Sequence, residues 1–352
     1  MKLSFQHLDL HLAQPWVITR GRTDVKKVVI VELTDDDEIV GRGEAAPISR
    51  YKESAKTVEA FLRKIDPQRL RTASVPEAMV YLDRLSSHDY SAKCAVNLAL
   101  IDIISKRCGK ATYDYLNLRF TEQKYITSYS IGLGSPDKIR QKVQAGHPYP
   151  ILKLKLGGPD DHAALKALRE VAPGKLIRVD ANEAWRTKEA ALKNIEWLAN
   201  DNAIQFVEQP LPASTPARDW IWLKQKSPLP IFADESHHHA KDTNLTALCF
   251  HGVNVKLVKM GGITGSFEAL SAAKKAGLKT MLGCMIETSI LISAAAHLAE
   301  LSDYFDLDGN LLITNDPYSG VTAHKGVLSF ANAPGKTGLC VAVRGETQAT
   351  RP

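Results

Sequence analysis

From about residue 124 onward, eight short apolar runs alternate with longer segments of helical spacing, and this rhythm constrains the fold more than any other feature. The runs are YITSYSIG, ILKLKLGG, LIRVDAN, IQFVEQP, LPIFADES, VNVKLVK, LKTMLGCM and YFDLDG. Between them, stretches such as 161–171, 188–199 and 266–276 repeat apolar residues every three or four positions. Eight strand candidates with helices between them, within roughly 190 residues, favour a closed parallel (β/α) barrel over an open doubly wound sheet. An open sheet would normally carry a glycine-rich phosphate loop after its first strand. None is found here.

The first 120 residues follow another pattern. Residues 2–12 alternate apolar and polar, 28–33 (VVIVEL) is a β-branched run, and 38–43 (EIVGRG) follows an acidic turn, so a hairpin is expected. Helical patterns follow at about 53–66, 75–86 and 91–107. The last is apolar on nearly every side, as a buried helix would be. The expected organisation is an α+β domain over 1–120, the barrel over 121–315, and a Gly- and Pro-rich segment over 316–352 that packs back on the first domain. The fold class is therefore α/β: a modified TIM barrel with an N-terminal α+β domain.

Composition narrows the partners. Hydrophobic residues make up 44% and charged residues 24%, ordinary for a globular chain. No stretch approaches the 18 or so apolar residues of a membrane span. The N-terminal MKLSFQHLDLHL lacks a signal peptide's apolar core, so a cytoplasmic protein is expected. Lys plus Arg exceeds Asp plus Glu by 45 − 39 = 6, scattered without a basic stripe, which argues against nucleic acid. Cys94, Cys108, Cys249, Cys284 and Cys340 are far apart and form no CxxC pair, so reduced, mostly buried thiols are expected. Nothing in the sequence decides between a monomer and a homo-oligomer.

Charge falls on the apolar runs in an informative way. Lys153 and Lys155 alternate with leucines and so share one face of their strand. Asp180, Glu208 and Asp234 end three successive strands, Asn254 and Lys256 lie on the next, and Asp306 and Asp308 end the eighth. A barrel brings all these ends to one mouth, where active sites form. A single acidic residue there is usually a helix N-cap, and Asp234-Glu235-Ser236 could be one. Three unpaired carboxylates together would repel at a cost of several kcal/mol, which a divalent cation removes. Oxygen-only ligands point to Mg²⁺ or Mn²⁺ and away from zinc. Lys155 and Lys256 flank the triplet from opposite sides of the ring. A lysine beside a cation and other lysines loses stability as an ammonium, so its pKa should fall towards the range useful for acid–base work, with Lys153 supplying charge to Lys155. His237–239 reads as an exposed tract at a helix start, and Gly261-Gly262 as a tight turn. Cys284 ends the seventh strand at the mouth.

These residues resemble the enolase superfamily in its muconate lactonizing enzyme subgroup, and most of all the dipeptide epimerases related to L-Ala-D/L-Glu epimerase. The matching motifs are the KxK of 153–155, DANEAW at 180–185, VEQP around Glu208, ADES at 233–236, NVKLVKMGG at 254–262, GCMIET at 283–288 and DLDG at 306–309. The resemblance covers essentially the whole chain, and in order and spacing the motifs are specific together. It implies that Asp180, Glu208 and Asp234 bind one Mg²⁺ per subunit, with Mn²⁺ an alternative, and that the substrate carboxylate joins the metal. It implies that Lys155 and Lys256 are the acid–base pair on opposite faces of the substrate α-carbon, inverting it through a metal-stabilised enediolate. Lys153 would assist Lys155 and contact the carboxylate. Asn182 and Glu235 would support the metal ligands, and Ser130, Cys284, Met285 and Ile286 would contact the substrate backbone. Asp306 and Asp308 would hold the free ammonium of a dipeptide. A bland reading of that pair, as a cap or as a partner of a basic residue, also stands.

The resemblance further implies a mobile specificity loop in the N-terminal capping domain, here about 16–27, with Arg20 and Arg22 as candidates for reading an acidic side chain. Acidic, hydrophobic and cationic dipeptides all stay open. The alternatives are an o-succinylbenzoate synthase or N-acylamino acid racemase of the same subgroup, which has no free ammonium to bind, and a barrel that binds a ligand without turnover.

Overall fold

The structure, a computed structural model, describes residues 1–71 and 74–345. The end of the 316–352 segment, 346–352, lies outside the described residues. The chain opens with an antiparallel sheet of β1 (Lys2–Ile18), β2 (Gly21–Thr34) and β3 (Val40–Ala45), in that order. The alternation at 2–12 and the β-branched run of β2 account for it: in β1, Leu3 and Phe5 and then, after a phase change at Gln6–His7, Leu8, Leu10 and Leu12 are covered between exposed residues, while 28–31 of β2 are buried throughout.

The helix Tyr90–Arg107 packs across this sheet. Its sides are apolar almost all round, and fourteen of its residues are buried, from Ser91 to Ser105. Contact with β3 is backbone to backbone: a Cβ on Gly41 or Gly43 would collide with the carbonyl oxygens of Ala99 and Ala95. Only glycine permits that approach. Helices Ala55–Leu62 and Val75–Leu85 complete the layer, each started by a serine capping box, Ser54 with Thr57 and Ser74 with Glu77.

The second sheet has eight strands in sequence order: β4 (Tyr129–Ile131), β5 (Ile151–Lys155), β6 (Leu176–Asp180), β7 (Ile204–Glu208), β8 (Ile231–Ala233), β9 (Gly252–Val255), β10 (Lys279–Gly283) and β11 (Tyr304–Asp306). Every neighbouring pair is parallel. A parallel bridge between Thr127 and Phe305, with Ser128 N–H donating to the Phe305 carbonyl at 3.0 Å, joins the first strand to the last and closes the barrel. A helix follows each of the first seven strands, whereas β11 leads into the 3₁₀ turn Gly309–Leu312. Arg178, Phe206, Phe232, Met281 and Tyr304 fill the bottom of the barrel. Phe206 stacks on Phe232 at 4.1 Å, and the Arg178 guanidinium lies over Tyr304 while donating to the Phe305 carbonyl at 2.6 Å.

The cap and the barrel are joined at several points. The stretch 16–27, expected as a loop, is instead the far end of the β1–β2 hairpin, with Trp16 opposite Thr23 and Ile18 opposite Gly21 after a register shift at His11/Trp16. That irregularity bends the hairpin over the barrel mouth. There Leu133 N–H donates to the Val17 carbonyl at 2.8 Å, and the Thr19 hydroxyl to the Asn182 carbonyl at 3.0 Å. Beyond the barrel, Leu339 N–H donates to Asp102 in the buried cap helix at 2.8 Å. All five cysteines are free, with Cys94, Cys249 and Cys340 buried. Among the described residues no helix is long and apolar enough to cross a membrane.

Candidate active site

Register puts the chemistry at one level. Lys155 on β5 pairs with Asp180 on β6, which pairs with Glu208 on β7. Asp234 follows β8, and Lys256 follows β9. All five are buried, because strands covered on both faces leave a charged side chain only the mouth to occupy. One carboxylate oxygen from each of Asp180, Glu208 and Asp234 lies within 4.8 Å of the others. β5 and β9 are second and sixth in the ring of eight, so Lys155 and Lys256 face each other across it.

The lysines meet the carboxylates directly. Lys155 donates to Asp180 Oδ2 at 2.6 Å, and Lys256 to Asp234 Oδ2 at 2.7 Å. Lys153 lies 2.6 Å from Asp306, 2.8 Å from Glu208 and 3.2 Å from Asp180. Burial opposes ionisation of Asp180 and Asp234. Nevertheless Lys155 with Lys153, and Lys256 with Lys259, hold these carboxyls well below the usual range. Glu208 behaves differently: burial and then the Asp180 charge push it up to about 8. Its Oε1 accepts from Asn254 Nδ2 at 2.7 Å, whereas its buried Oε2 is met only by the Lys153 ammonium at 2.8 Å, without hydrogen-bond geometry. Lys256 departs from the expected depression. Burial works against its ammonium, but its direct partner Asp234 outweighs that and raises its pKa.

Lys259, not singled out in the sequence, is fully buried behind Asp234 and donates to its Oδ1 at 2.7 Å and to its carbonyl at 2.6 Å. It sits on the one-turn helix Leu257–Met260, which Gly261 ends in the left-handed region at φ 76° before Gly262 begins the next helix. The Gln209 amide oxygen accepts from Asp234 N–H and Ser236 N–H, fixing the turn after β8. The histidine tract is not exposed as expected. The turn and the helix Thr243–Cys249 fold over His237, whose Nδ1 lies 3.1 Å from the Thr246 hydroxyl, and burial lowers its pKa to about 4.

A cavity of about 530 Å³ opens above this cluster, lined by Ser130, Lys155, Asn182, Lys256, Cys284, Met285, Ile286, Asp306 and Asp308 from the barrel and by the hairpin tip from the cap. The Trp16 ring lies 6.0 Å from the Lys155 ammonium. The two aspartates after the last strand are not equivalent. Asp306 is engaged by Lys153 and, at 2.8 Å, by the Ser128 hydroxyl. Asp308 Oδ2 accepts from Ser130 N–H at 2.6 Å, and the Cys284 thiol lies 3.9 Å from Oδ1. Burial, then the Asp306 charge, raises Asp308 to about 7. Arg20 reaches the mouth but is bound to Glu235 at 2.7 Å and Glu183 at 3.4 Å. Arg22 turns outward onto Asp24 at 2.9 Å. Asn182 lies 3.5 Å from Glu235 through its amide nitrogen, and its N–H donates to Asp180 Oδ1 at 2.8 Å.

An α+β cap over a barrel whose mouth gathers three carboxylates between two opposed lysines is an enolase-superfamily arrangement, and the comparisons agree. The model described as "Mandelate racemase / muconate lactonizing enzyme, N-terminal domain" matches residues 4–116, and "Enolase C-terminal domain-like" matches 136–342. The chain belongs to the mandelate racemase/muconate lactonizing enzyme family. Within it, the L-Ala-D/L-amino acid epimerase of Pedosphaera parvula (strain Ellin514) is 56% identical over 344 residues, which is 97% of this chain and 99% of that one. A substrate-liganded L-Ala-D/L-Glu epimerase from Bacillus subtilis matches with a TM-score of 0.90 at 27% identity, covering 97% of this chain and 98% of that one. A dipeptide epimerase from Enterococcus faecalis V583, complexed with Mg and L-Leu-L-Tyr, matches at 0.87 and 27% identity, covering 97% of this chain and 99% of that one.

Proposed function

We propose that this chain is a dipeptide epimerase that inverts the α-carbon of the C-terminal residue of its substrate. The observation that carries the reading is the opposition of Lys155 and Lys256 across one ring of strands, both lining one cavity. Two bases on opposite faces are what a stereochemical inversion by proton transfer needs. One neutral amine takes the α-proton, and the other lysine, as an ammonium, returns a proton from the opposite side.

Asp180, Glu208 and Asp234 suit a divalent cation, one Mg²⁺ in this reading. Their donors are hard oxygens, they converge within 4.8 Å, and all three are buried, where unscreened carboxylates repel one another. When bound there, such an ion supplies positive charge where the substrate carboxylate gathers negative charge. The remaining roles fall to the chain's own side chains. Trp16 covers Lys155 and excludes water. Lys153 balances Asp306 and the cluster beneath it. Asn182 and Glu235 brace the turn that carries Asp180, and Ser130 with Cys284, Met285 and Ile286 frames the substrate backbone. Asp308 Oδ1 receives the dipeptide's ammonium, a group that the N-acylamino acid and succinylbenzoate alternatives lack.

The test is a panel of L,L-dipeptides incubated in D₂O with Mg²⁺ and followed by mass spectrometry and chiral separation. Deuterium at the C-terminal residue's α-carbon, with appearance of the L,D isomer, is expected, as is its loss on chelation and return with Mg²⁺. No exchange with any dipeptide, or full activity after exhaustive chelation, would overturn the reading.

A further inference from the structure

Arg20, Arg22, Lys26 and Arg50 line the cavity on its cap side, and they differ in what already holds them. Arg20 is bound to Glu235 and Glu183. Arg50 makes a two-pronged pair with Glu183, both contacts at 2.9 Å. Arg22 is 61% exposed and closed on Asp24. Lys26 has no carboxylate within ion-pair distance among the described residues, and its hydrogen bond runs to the Pro47 carbonyl. An ammonium has three N–H donors, so two remain for something else.

The acidic groups near Lys26 have their own commitments. Glu44 accepts from the Thr288 hydroxyl at 2.6 Å, Glu53 from Ser91 N–H at 3.1 Å, and Glu287 from Met285 N–H at 3.2 Å. Burial pushes Glu44 and Glu53 up to about 7 and Glu287 well above the carboxylate range, which weakens all three as counter-ions. Lys26 and the catalytic Lys256 line the same cavity, Lys26 from the cap and Lys256 from the barrel. With the α-carbon between Lys155 and Lys256 and its carboxylate towards the barrel cluster, a substrate side chain must extend towards the cap, where Lys26 waits.

We infer that Lys26 reads the side chain of the residue being inverted and favours one with an oxygen acceptor, such as an amide, hydroxyl or carboxylate, over an apolar or cationic one. This rests on the dipeptide-epimerase reading above, and it moves side-chain selection from Arg20 and Arg22 to a residue outside the motifs. Among the described residues, Lys26 would be the cap-side cation at the mouth left to be completed by substrate.

The experiment measures kcat/KM on L-Ala-L-Gln, L-Ala-L-Glu, L-Ala-L-Leu and L-Ala-L-Lys at saturating Mg²⁺ for the wild type, Lys26→Met and Lys26→Arg. The wild type should prefer Gln and Glu. The Gln-to-Leu ratio should fall about tenfold in Lys26→Met, the scale of one lost charge-assisted hydrogen bond, and largely survive in Lys26→Arg. A wild-type preference for Leu or Lys would overturn the inference. So would an equal loss on all four substrates, which marks a merely structural lysine at the junction of cap and barrel. Should Lys26→Met fail to fold, the wild-type ranking and the Lys26→Arg ratio decide by the same criteria. Turnover of all four without acceptor preference removes Lys26 alone, whereas turnover of no dipeptide removes the epimerase reading itself.

Discussion

Replacing Lys259 by methionine should weaken both the fold and its hold on a divalent cation. The ammonium is fully buried and donates to Asp234 Oδ1 at 2.7 Å and to the Asp234 carbonyl at 2.6 Å. The carbonyls of His237 and Asn254 lie at 3.2 Å. Methionine keeps most of the volume, so the cavity contribution is small. The loss is that of one partner from a buried ion pair, about 3–5 kcal/mol. An unfolding entropy of about 2.1 cal/mol/K per residue over 352 residues converts this into a Tm drop of about 4–7 °C. Asp234 keeps Lys256 on Oδ2 but loses the group that fixes Oδ1, so Mg²⁺ affinity should fall about 10- to 100-fold, the usual effect of removing a group that orients a ligand. Scanning calorimetry in chelator reads the first effect and isothermal titration with Mg²⁺ the second. A Lys259→Met protein with wild-type Tm and wild-type Mg²⁺ affinity would refute the assignment of Lys259 as the residue that orients Asp234.

Asp308→Asn should cost a free dipeptide about tenfold to a hundredfold in kcat/KM, the scale of one or two charge-assisted hydrogen bonds, and cost its N-acetylated form far less. Steady-state rates on both forms check it, with equal losses counting against ammonium recognition. His297 is buried against Phe330 at 4.6 Å, its Nδ1 accepting from Tyr113 N–H at 3.2 Å, and burial lowers its pKa from 6.5 to about 3. The unfolded chain therefore binds this proton first. Stability is fully present above pH 6.5 and is lost as pH falls towards 3. Urea midpoints between pH 7 and 4 should fall less steeply in His297→Gln than in the wild type.

The barrel and the charged residues gathered at its mouth were legible because strand periodicity is local. LKLKL puts two lysines on one face, and Asp180, Glu208 and Asp234 each end a run whose length is that of a strand. The α+β cap was legible for the same reason, from β-branched runs and an all-apolar helix. What the sequence did not disclose depends on how the cap meets the barrel. The hairpin of 16–27 follows a register shift between β1 and β2 at which Leu12 bridges Ile313, and Arg20 is held by Glu235, 215 positions away. His237 is buried by the turn and helix that follow it, which its polar neighbours disguise. Lys259 gave one signal, a second lysine three residues after Lys256 on a segment too apolar to leave a charge in water. Lys26 falls inside the 16–27 stretch, but there only the arginines drew notice.

The central claim is that Lys155 and Lys256 serve opposite faces of one α-carbon. The direct measurement is deuterium incorporation from D₂O into L,L and L,D isomers of an accepted dipeptide by Lys155→Ala and by Lys256→Ala, both with Mg²⁺. Each variant should fail to interconvert the isomers while still exchanging the α-proton of one of them, and the two variants should retain opposite isomers. A variant that still epimerised near the wild-type rate, or two variants that retained the same isomer, would contradict the account.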